Sequence, residues 1–130
     1  CRGYGDPGCP VEEALNAGYD LVWFVDCEGH RKLSAALPED VVILFVLPPS
    51  VEELVRRLNK RSSDDPAEIE KRMKAALNEI SHWAEFDHTI INSDLDTAIS
   101  QARSVLVSAR LTTRRQRNLV NVVAGFNPTR

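Results

Sequence analysis

Residues 41–61, VVILFVLPPSVEELVRRLNKR, constrain the fold more than any other part of this sequence. Residues 41–47 are all apolar, which is typical of a strand covered on both faces, as in a parallel sheet. Two prolines follow, and because proline cannot continue a central strand, the chain must leave the sheet there. Ser50 and Glu53 form a capping box that predicts a helix directly after it. The stretch therefore predicts a buried strand, a turn and a helix.

The rest of the chain repeats this alternation of strands and helices. Apolar runs predict two further strands, over residues 20–26 and 88–91. The predicted helices span residues 11–17, 28–37, 51–61, those after Pro66 and those after Ser93, with a last one within 119–126. Such alternation indicates an α/β fold with a parallel sheet and flanking helices. Three strands make a thin sheet, and we expect a central strand to be missing.

Several helix ends carry recognisable signals. Gly18 is expected to end the first helix in a left-handed conformation. Asp65 is expected to cap the long helix, with Glu68 completing a capping box. Ser93 and Asp96 are the predicted caps of the helix that follows the third strand. We also expect the long helix to bury one continuous apolar stripe from Ile69 to Trp83.

Composition limits the class of protein. The chain has 130 residues, 43% of them hydrophobic, which suits one globular domain. The net charge of −3 argues against a general nucleic-acid-binding protein. No apolar run approaches the ~20 residues of a membrane span, so we expect a cytoplasmic protein without a membrane or nucleic-acid partner. Three cysteines without CxxC spacing indicate free thiols in a reducing compartment.

Three arginines form the main candidate cluster. Arg57 and Arg61 share a helix face at i,i+4 spacing, and Arg72 lies on the next helix. If the two helices fold back on each other, three guanidinium groups converge, and such groups bind phosphates through paired, charge-assisted hydrogen bonds. The alternative is ordinary ion pairing on a solvated helix, since Glu53 precedes Arg57 by four residues and Glu68 precedes Arg72 by four.

Two further side chains lie where ligands often bind. Asp26 closes the predicted strand 20–26, and ligands of open α/β sheets bind at the carboxyl ends of strands. The alternative is that Asp26 caps the helix that follows. Tyr4 lies in a glycine-flanked loop, where it can present its hydroxyl to a ligand or pack over the sheet edge.

Other patterns point away from chemistry. His30, His82 and His88 have no metal-ligand spacing, and we assign them no catalytic role. The arginine-rich tail from Arg110 is interpreted as a solvated helix face rather than a nucleic-acid-binding arm. The sequence does not contain GxxxxGK[ST], the glycine loop whose amides and lysine hold ATP phosphates.

Several segments at their mutual spacing resemble one known family. They are YGDP, FVDCEG, ILFVLPPSVEELVRRLNKRS and IEKRMKAALNEISHWAEFDHTIINSDLDTA. Over residues 3–126 the chain is similar to guanylate kinases of bacterial type. The resemblance implies the P-loop nucleoside monophosphate kinase fold, without its N-terminal central strand. The implied parts are the end of the GMP-binding segment (1–19), the core (20–61), the lid (62–72), and the C-terminal core and tail (73–130).

The resemblance also implies a reaction, the transfer of the γ-phosphoryl group of ATP to GMP with Mg²⁺. Arg57, Arg61 and Arg72 would clamp the transferring phosphates, with Arg61 also binding ATP. Asn92 would lie beside the adenine. These roles suit phosphoryl transfer, which depends on positioning and on neutralising spread negative charge.

On the acceptor side the resemblance assigns substrate-binding roles and shows departures from the family pattern. Tyr4 would hydrogen-bond the GMP phosphate, and Asp26 would recognise the guanine edge. Asp6 replaces a small hydroxyl residue that contacts guanine, although it could still accept from a guanine amide. Glu28 replaces a glutamine. Phe24 stands where the family carries an acid that helps to hold Mg²⁺.

The ATP-binding glycine loop of the family would precede residue 1. We therefore expect a truncated guanylate kinase that is inactive alone, because nothing in these 130 residues replaces that loop. Two alternatives remain open at this point. One is a non-catalytic guanylate-kinase-like binding module, and the other is a remnant without a function of its own.

Overall fold

A computed structural model of the chain describes residues 10–61 and 65–126. Within these residues the helices are α1 (Pro10–Asn16), α2 (Cys27–Ala36), α3 (Val51–Arg61), α4 (Pro66–Ser81), α5 (Leu95–Leu111) and α6 (Leu119–Ala124). The strands are β1 (Leu44–Leu47) and β2 (His88–Ile91), and short 3-10 helices span Trp83–Glu85 and Thr113–Arg115. None of the described helices combines the length and the apolar character that crossing a membrane requires.

The two strands form the predicted parallel sheet. Leu44 pairs with His88 and Leu47 with Ile91, and α3 and α4 connect the strands. Parallel pairing needs such a crossover, because the second strand must start again from the same end of the sheet. β1 is shorter than the predicted strand over residues 41–47.

The predicted strand over residues 20–26 is wrong. This segment contains no regular secondary structure, and the sheet of the described residues has two strands only. Val22 is 78% exposed and Phe24 is completely exposed. An apolar run forms a central strand only when neighbouring strands pair with it and other elements cover it. Within the described residues no third strand supplies that pairing for 20–26.

Most predicted helix ends are confirmed. Gly18 adopts a positive φ of 88° after α1, which glycine tolerates better than other residues. The hydroxyl of Ser50 accepts a hydrogen bond from the backbone N–H of Glu53 at 3.2 Å. A carboxylate oxygen of Asp65 accepts from the N–H of Ala67 at 3.0 Å. These bonds satisfy amide groups that a helix leaves without partners in its first turn.

The prediction for the start of α5 needs a correction. Asp94 is the N-cap, rather than Ser93 or Asp96, and its Oδ2 accepts from the backbone N–H of Thr97 at 2.9 Å. The hydroxyl of Thr97 donates to the same oxygen at 2.7 Å. Both bonds favour the ionised carboxyl and hold the pKa of Asp94 below its usual value. Ser93 and Asp94 are adjacent and are both residue types that cap helices, so the local sequence does not decide between them.

The core lies where α2, β2 and α5 supply buried side chains. Its buried apolar residues in the described part of the chain are Cys27, Leu33, Ile90 and Ala98. Phe45 on β1 stacks on Phe86, with ring centroids 4.3 Å apart. The predicted continuous stripe on α4 is not fully buried, because Leu77 is 46% exposed and Trp83 is 62% exposed.

Arginines of the C-terminal region bind the rest of the fold. Arg115 donates to the carbonyl oxygens of Glu39 at 3.1 Å and Val41 at 3.4 Å. Arg114 forms an ion pair with the Glu39 side chain at 3.1 Å. These contacts connect the segment before β1 to the 3-10 helix that follows α5. The interpretation of the tail as a purely solvated face is therefore wrong for Arg115, which is half-buried.

Candidate functional site

The carboxyl edge of the sheet brings together two predicted site residues, Arg57 and Asn92. Asn92 follows β2, and its N–H donates to the carbonyl oxygen of Leu47 at 2.8 Å. Its own carbonyl oxygen accepts a hydrogen bond from Nη2 of Arg57 at 3.1 Å. A guanidinium group from α3 is thus fixed at the end of both strands. This is the edge at which open α/β sheets bind ligands.

Glu53 holds the same guanidinium group from the other side. Nε of Arg57 donates to Oε1 of Glu53 at 2.7 Å. Arg56 donates to both oxygens of this carboxylate, each at 2.7 Å. The hydrogen bonds from Arg56, and then those from Arg57, lower the pKa of Glu53 to about 2. Glu53 is therefore ionised at neutral pH, and it restricts the orientation of Arg57.

Arg72 forms the ion pair that the sequence offered as the alternative to phosphate binding. Its Nε donates to Oε1 of Glu68 at 3.1 Å, and both side chains are nearly half exposed. α3 and α4 are in contact. The side chain of Arg61 lies outside the described residues. Convergence of the three arginines therefore stays a prediction, while Arg57 and Arg72 each have a glutamate partner on their own helix.

Asp26 caps α2. Its Oδ1 accepts from the N–H of Gly29 at 2.7 Å, so the capping interpretation is observed. A carboxylate can accept about four hydrogen bonds, so Asp26 can still accept others while it caps the helix. A role for Asp26 toward guanine stays a prediction. Tyr4 and Asp6 lie outside the described residues.

The described residues do not build a magnesium site of their own. Among residues 10–61 and 65–126, no three His, Cys, Asp or Glu side chains lie close enough together to hold a metal ion. The aromatic ring of Phe24 has no ligand atom and is completely exposed. The donor set of this part of the chain does not fit Mg²⁺ without further ligands.

Sequence reasoning missed a polar cluster that joins α2 to the end of α4. Arg31 donates to both oxygens of Glu85, through Nε at 2.7 Å and Nη2 at 2.6 Å. Nδ1 of His82 lies 2.9 Å from Oε1 of the same carboxylate. The hydrogen bond from Arg31, with a smaller contribution from His82, lowers the pKa of Glu85 to about 2. The signal visible in sequence was the i,i+3 spacing of His82 and Glu85.

Cys27 takes part in the same contact between helices. Its backbone N–H donates to Oε2 of Glu79 at 3.0 Å. Burial of the thiol, followed by its interaction with Glu79, raises the pKa of Cys27 to about 11. The thiol is free and protonated at neutral pH, as expected for a structural cysteine. Cys1 and Cys9 lie outside the described residues.

A cavity elsewhere in the described structure does not coincide with the predicted site. It has a volume of about 480 Å³ and runs along one face of α5. Its lining residues are Ser100, Arg103, Ser104, Val107, Ser108 and Leu111. None of them is a predicted site residue, so the carboxyl edge remains the candidate site.

Comparisons with known proteins agree with this architecture. The family model described as guanylate kinase matches residues 2–109 of this chain. The chain belongs to the guanylate kinase family. The resemblance stated from the sequence motifs is thereby confirmed.

Individual guanylate kinases are similar over most of this chain. The guanylate kinase of Gluconobacter oxydans is 75% identical over 126 residues, which are 97% of this chain and 61% of that protein. The guanylate kinase of Cereibacter sphaeroides is 44% identical, over 95% of this chain and 59% of that protein. This chain therefore spans about six tenths of the length of the guanylate kinases that it matches.

A solved structure confirms the predicted fold class. The crystal structure of guanylate kinase from Anaplasma phagocytophilum matches 94% of this chain and 58% of its own chain. The TM-score is 0.76 at 28% sequence identity. The helix-rich α/β arrangement with a small parallel sheet is thus that of a guanylate kinase.

Proposed function

We propose that this chain contributes to phosphoryl transfer from ATP to GMP, giving ADP and GDP. The observation that carries the proposal is the hydrogen bond from Arg57 to Asn92 at the carboxyl edge of the sheet. Membership of the guanylate kinase family and the resemblance of both residues to family ligands support it.

The chemistry that Arg57 can provide follows from its contacts. A guanidinium group has five N–H donors, and Glu53 and Asn92 use only some of them. Because these partners already fix the group, less side-chain freedom is lost when an anion binds. Arg57 would orient a phosphate and stabilise the negative charge that spreads over it during transfer.

The other proposed site residues would complete the binding of both nucleotides. Arg61 and Arg72 would add positive charge beside the transferring phosphate. Asn92 would lie next to the adenine. When bound, Mg²⁺ with ATP would neutralise part of the phosphate charge, with ligands from outside the described residues.

On the acceptor side, the proposed GMP ligands are Tyr4, Asp6 and Asp26. The Tyr4 hydroxyl would donate to the GMP phosphate. The carboxylates of Asp6 and Asp26 would accept from the N–H groups of guanine. We also propose that the protein acts in the cytoplasm.

We predict that the 130-residue chain by itself does not phosphorylate GMP. The sequence lacks GxxxxGK[ST], so no backbone amides and lysine of that kind hold the ATP phosphates. The test is an ADP-coupled assay with ATP, GMP and Mg²⁺, with the Gluconobacter oxydans guanylate kinase as the positive control. Circular dichroism would verify that the chain is folded. Turnover above the blank by the purified, folded chain would refute the prediction.

Nucleotide binding can be tested separately from turnover with two neighbouring arginines. Arg56 and Arg57 both bind Glu53, but only Arg57 also reaches Asn92. Calorimetric titration with ATP and with GMP should show binding that Arg57→Ala weakens roughly tenfold or more, the typical value of a charge-assisted hydrogen bond. The matched Arg56→Ala variant should bind within about twofold of the original chain. Equal losses in the two variants would contradict a specific role for Arg57.

The second candidate function is a non-catalytic guanylate-kinase-like binding module. It is favoured by Phe24, a completely exposed hydrocarbon ring where the resemblance implies an acid. The test adds the ATP-binding part of a related guanylate kinase to this chain. If the mixture binds GMP but does not phosphorylate it, the binding module is favoured over the kinase.

A further inference from the structure

Glu53 lies in the first turn of α3, directly after the turn that leaves β1. Its backbone N–H donates to the hydroxyl of Ser50 at 3.2 Å, which fixes its main chain at the start of the helix. Its side chain is 21% exposed, although carboxylates usually lie in full contact with water. The carboxylate is therefore held close to the carboxyl edge of the sheet, one helical turn before Arg57.

The guanidinium group of Arg57 is held from two different elements. Its Nε donates to Oε1 of Glu53 at 2.7 Å, and its Nη2 donates to the carbonyl oxygen of Asn92 at 3.1 Å. The Asn92 oxygen belongs to the main chain after β2, so no change of rotamer can remove it. The Glu53 oxygen belongs to a side chain and can be removed by substitution. Because the guanidinium group is planar and rigid, two anchored nitrogen atoms restrict the whole group.

These two contacts leave one end of the guanidinium group available. Arg57 has five N–H donors, of which the two contacts use one on Nε and one on Nη2. Within the described part of the chain, both N–H groups of Nη1 and the second one of Nη2 have no hydrogen-bond partner. Nη1 and Nη2 together form a fork that can donate to two phosphate oxygens at once. The side chain is about a third exposed, so a ligand can reach it.

We propose that Glu53 is a positioning residue for Arg57, which presents its Nη1–Nη2 fork to a phosphate of the bound nucleotide. This inference rests on the proposed function and extends it to a residue that touches no ligand. Side-chain freedom that Glu53 already removes from Arg57 is not lost again when the phosphate binds. The opposing effect is repulsion between the Glu53 carboxylate and the phosphate. The sign of the change on removing Glu53 decides which effect is larger.

Calorimetric titration of the folded 130-residue chain with ATP measures that sign. Glu53→Ala should weaken ATP binding about fivefold, as expected for the loss of one orienting hydrogen bond. Glu53→Gln should recover part of the loss, because its amide oxygen can still accept from Nε of Arg57. Glu52→Ala is the matched control and should bind within about twofold of the original chain. Glu52 lies in the same helical turn and carries the same charge, but its side chain hydrogen-bonds Ser50.

A double-mutant cycle separates positioning from a general structural role. If Glu53 acts through Arg57, Glu53→Ala should cause no further loss in the Arg57→Ala background, whereas independent effects would add. Tighter ATP binding by Glu53→Ala, or the same loss in both backgrounds, would overturn the positioning role. A loss in Arg57→Ala with none in Glu53→Ala would overturn it alone. Unchanged ATP affinity in Arg57→Ala would instead refute the phosphate-binding role of Arg57, and with it the proposed function.

The order parameter of the Arg57 Nε–H group, measured by NMR relaxation without nucleotide, tests the contact itself. This parameter reports motion on the picosecond to nanosecond timescale. It should be high in the original chain and in Glu52→Ala, and should fall in Glu53→Ala. Spectra of Arg56→Ala and Arg57→Ala assign the two neighbouring signals, and circular dichroism verifies that each variant is folded. An Nε–H group that is equally ordered in Glu53→Ala would overturn the positioning role.

Discussion

Asp26 has a structural role and a proposed binding role that substitutions can separate. Its carboxylate caps α2 through the bond to Gly29. We expect Asp26→Ala to lower the free energy of unfolding by about 1 kcal/mol, the usual value of an N-cap. Asp26→Asn should cost much less, because asparagine caps as well as aspartate. Urea unfolding followed by circular dichroism measures both values.

The same pair of variants tests recognition of guanine. An asparagine amide presents one acceptor oxygen and an NH₂ group, so Asp26→Asn keeps the cap but cannot accept guanine N–H groups with both oxygens. If Asp26 binds guanine, Asp26→Asn should weaken GMP binding while stability is nearly unchanged. A GMP affinity equal to that of the original chain would restrict Asp26 to its capping role.

Glu53 gives the stability of α3 a defined dependence on pH. Its folded pKa of about 2 lies below the ordinary glutamate value of about 4.3. Its pairing with Arg56 and Arg57 therefore stabilises the fold fully above about pH 4.3 and is lost as the pH falls through about 2. We expect the difference in unfolding free energy between the original chain and Glu53→Gln to be present at pH 6 and to disappear near pH 2. A difference that is the same at both values would contradict the pairing.

At the scale of elements, the segment 20–26 and helix α2 should respond very differently to substitution. Phe24 is completely exposed, whereas Leu33 on α2 is 5% exposed. Phe24→Ser should change the free energy of unfolding by less than about 0.5 kcal/mol, as is usual for surface positions. Leu33→Ala should cost about 2–3 kcal/mol, because it removes buried methyl groups and leaves a cavity. A large loss of stability in Phe24→Ser would show that the segment packs against the fold.

Elements were predictable from sequence where local signals determine them. The caps at Ser50 and Asp65 and the left-handed Gly18 depend on neighbouring residues only, and the structure confirms them. The apolar run 20–26 carries an equally clear local signal, but a strand also needs a partner elsewhere in the chain. That second condition cannot be read from the run itself, and for this reason the prediction failed.

The contacts of the candidate site also differ in whether the sequence could predict them. Arg57 and Asn92 were predicted through a family resemblance, although they are 35 positions apart and no local pattern joins them. The contact between Arg31 and Glu85 spans 54 positions and had no such resemblance to reveal it. The i,i+4 pairing of Arg72 with Glu68 was visible in the spacing alone. Spacing within one helix revealed local pairs, whereas residues far apart in sequence could be predicted only where the family resemblance pointed to them.

At the scale of the whole molecule, residues 10–61 and 65–126 bury little apolar surface for their number. Its described buried apolar residues are Cys27, Leu33, Ile90 and Ala98, and no large side chain there is below 2% exposure. Because the denaturant m-value scales with the surface that unfolding exposes, its value per residue should be lower than in the Gluconobacter oxydans guanylate kinase. Urea unfolding of the two proteins under the same conditions provides the comparison.

Exposed apolar side chains should also make the folded chain bind the dye ANS. Val22 and Phe24, at alternate positions of the segment 20–26, are largely exposed, and such apolar surface is what ANS detects. The double variant Val22→Ser, Phe24→Ser should lose much of the fluorescence and keep the circular dichroism spectrum, because neither side chain contributes to the core. The matched variant Val120→Ser, at an equally exposed position on α6, controls for loss of any exposed apolar group. If the double variant binds ANS as strongly as the original chain, the open apolar surface of this molecule lies elsewhere than at residues 20–26.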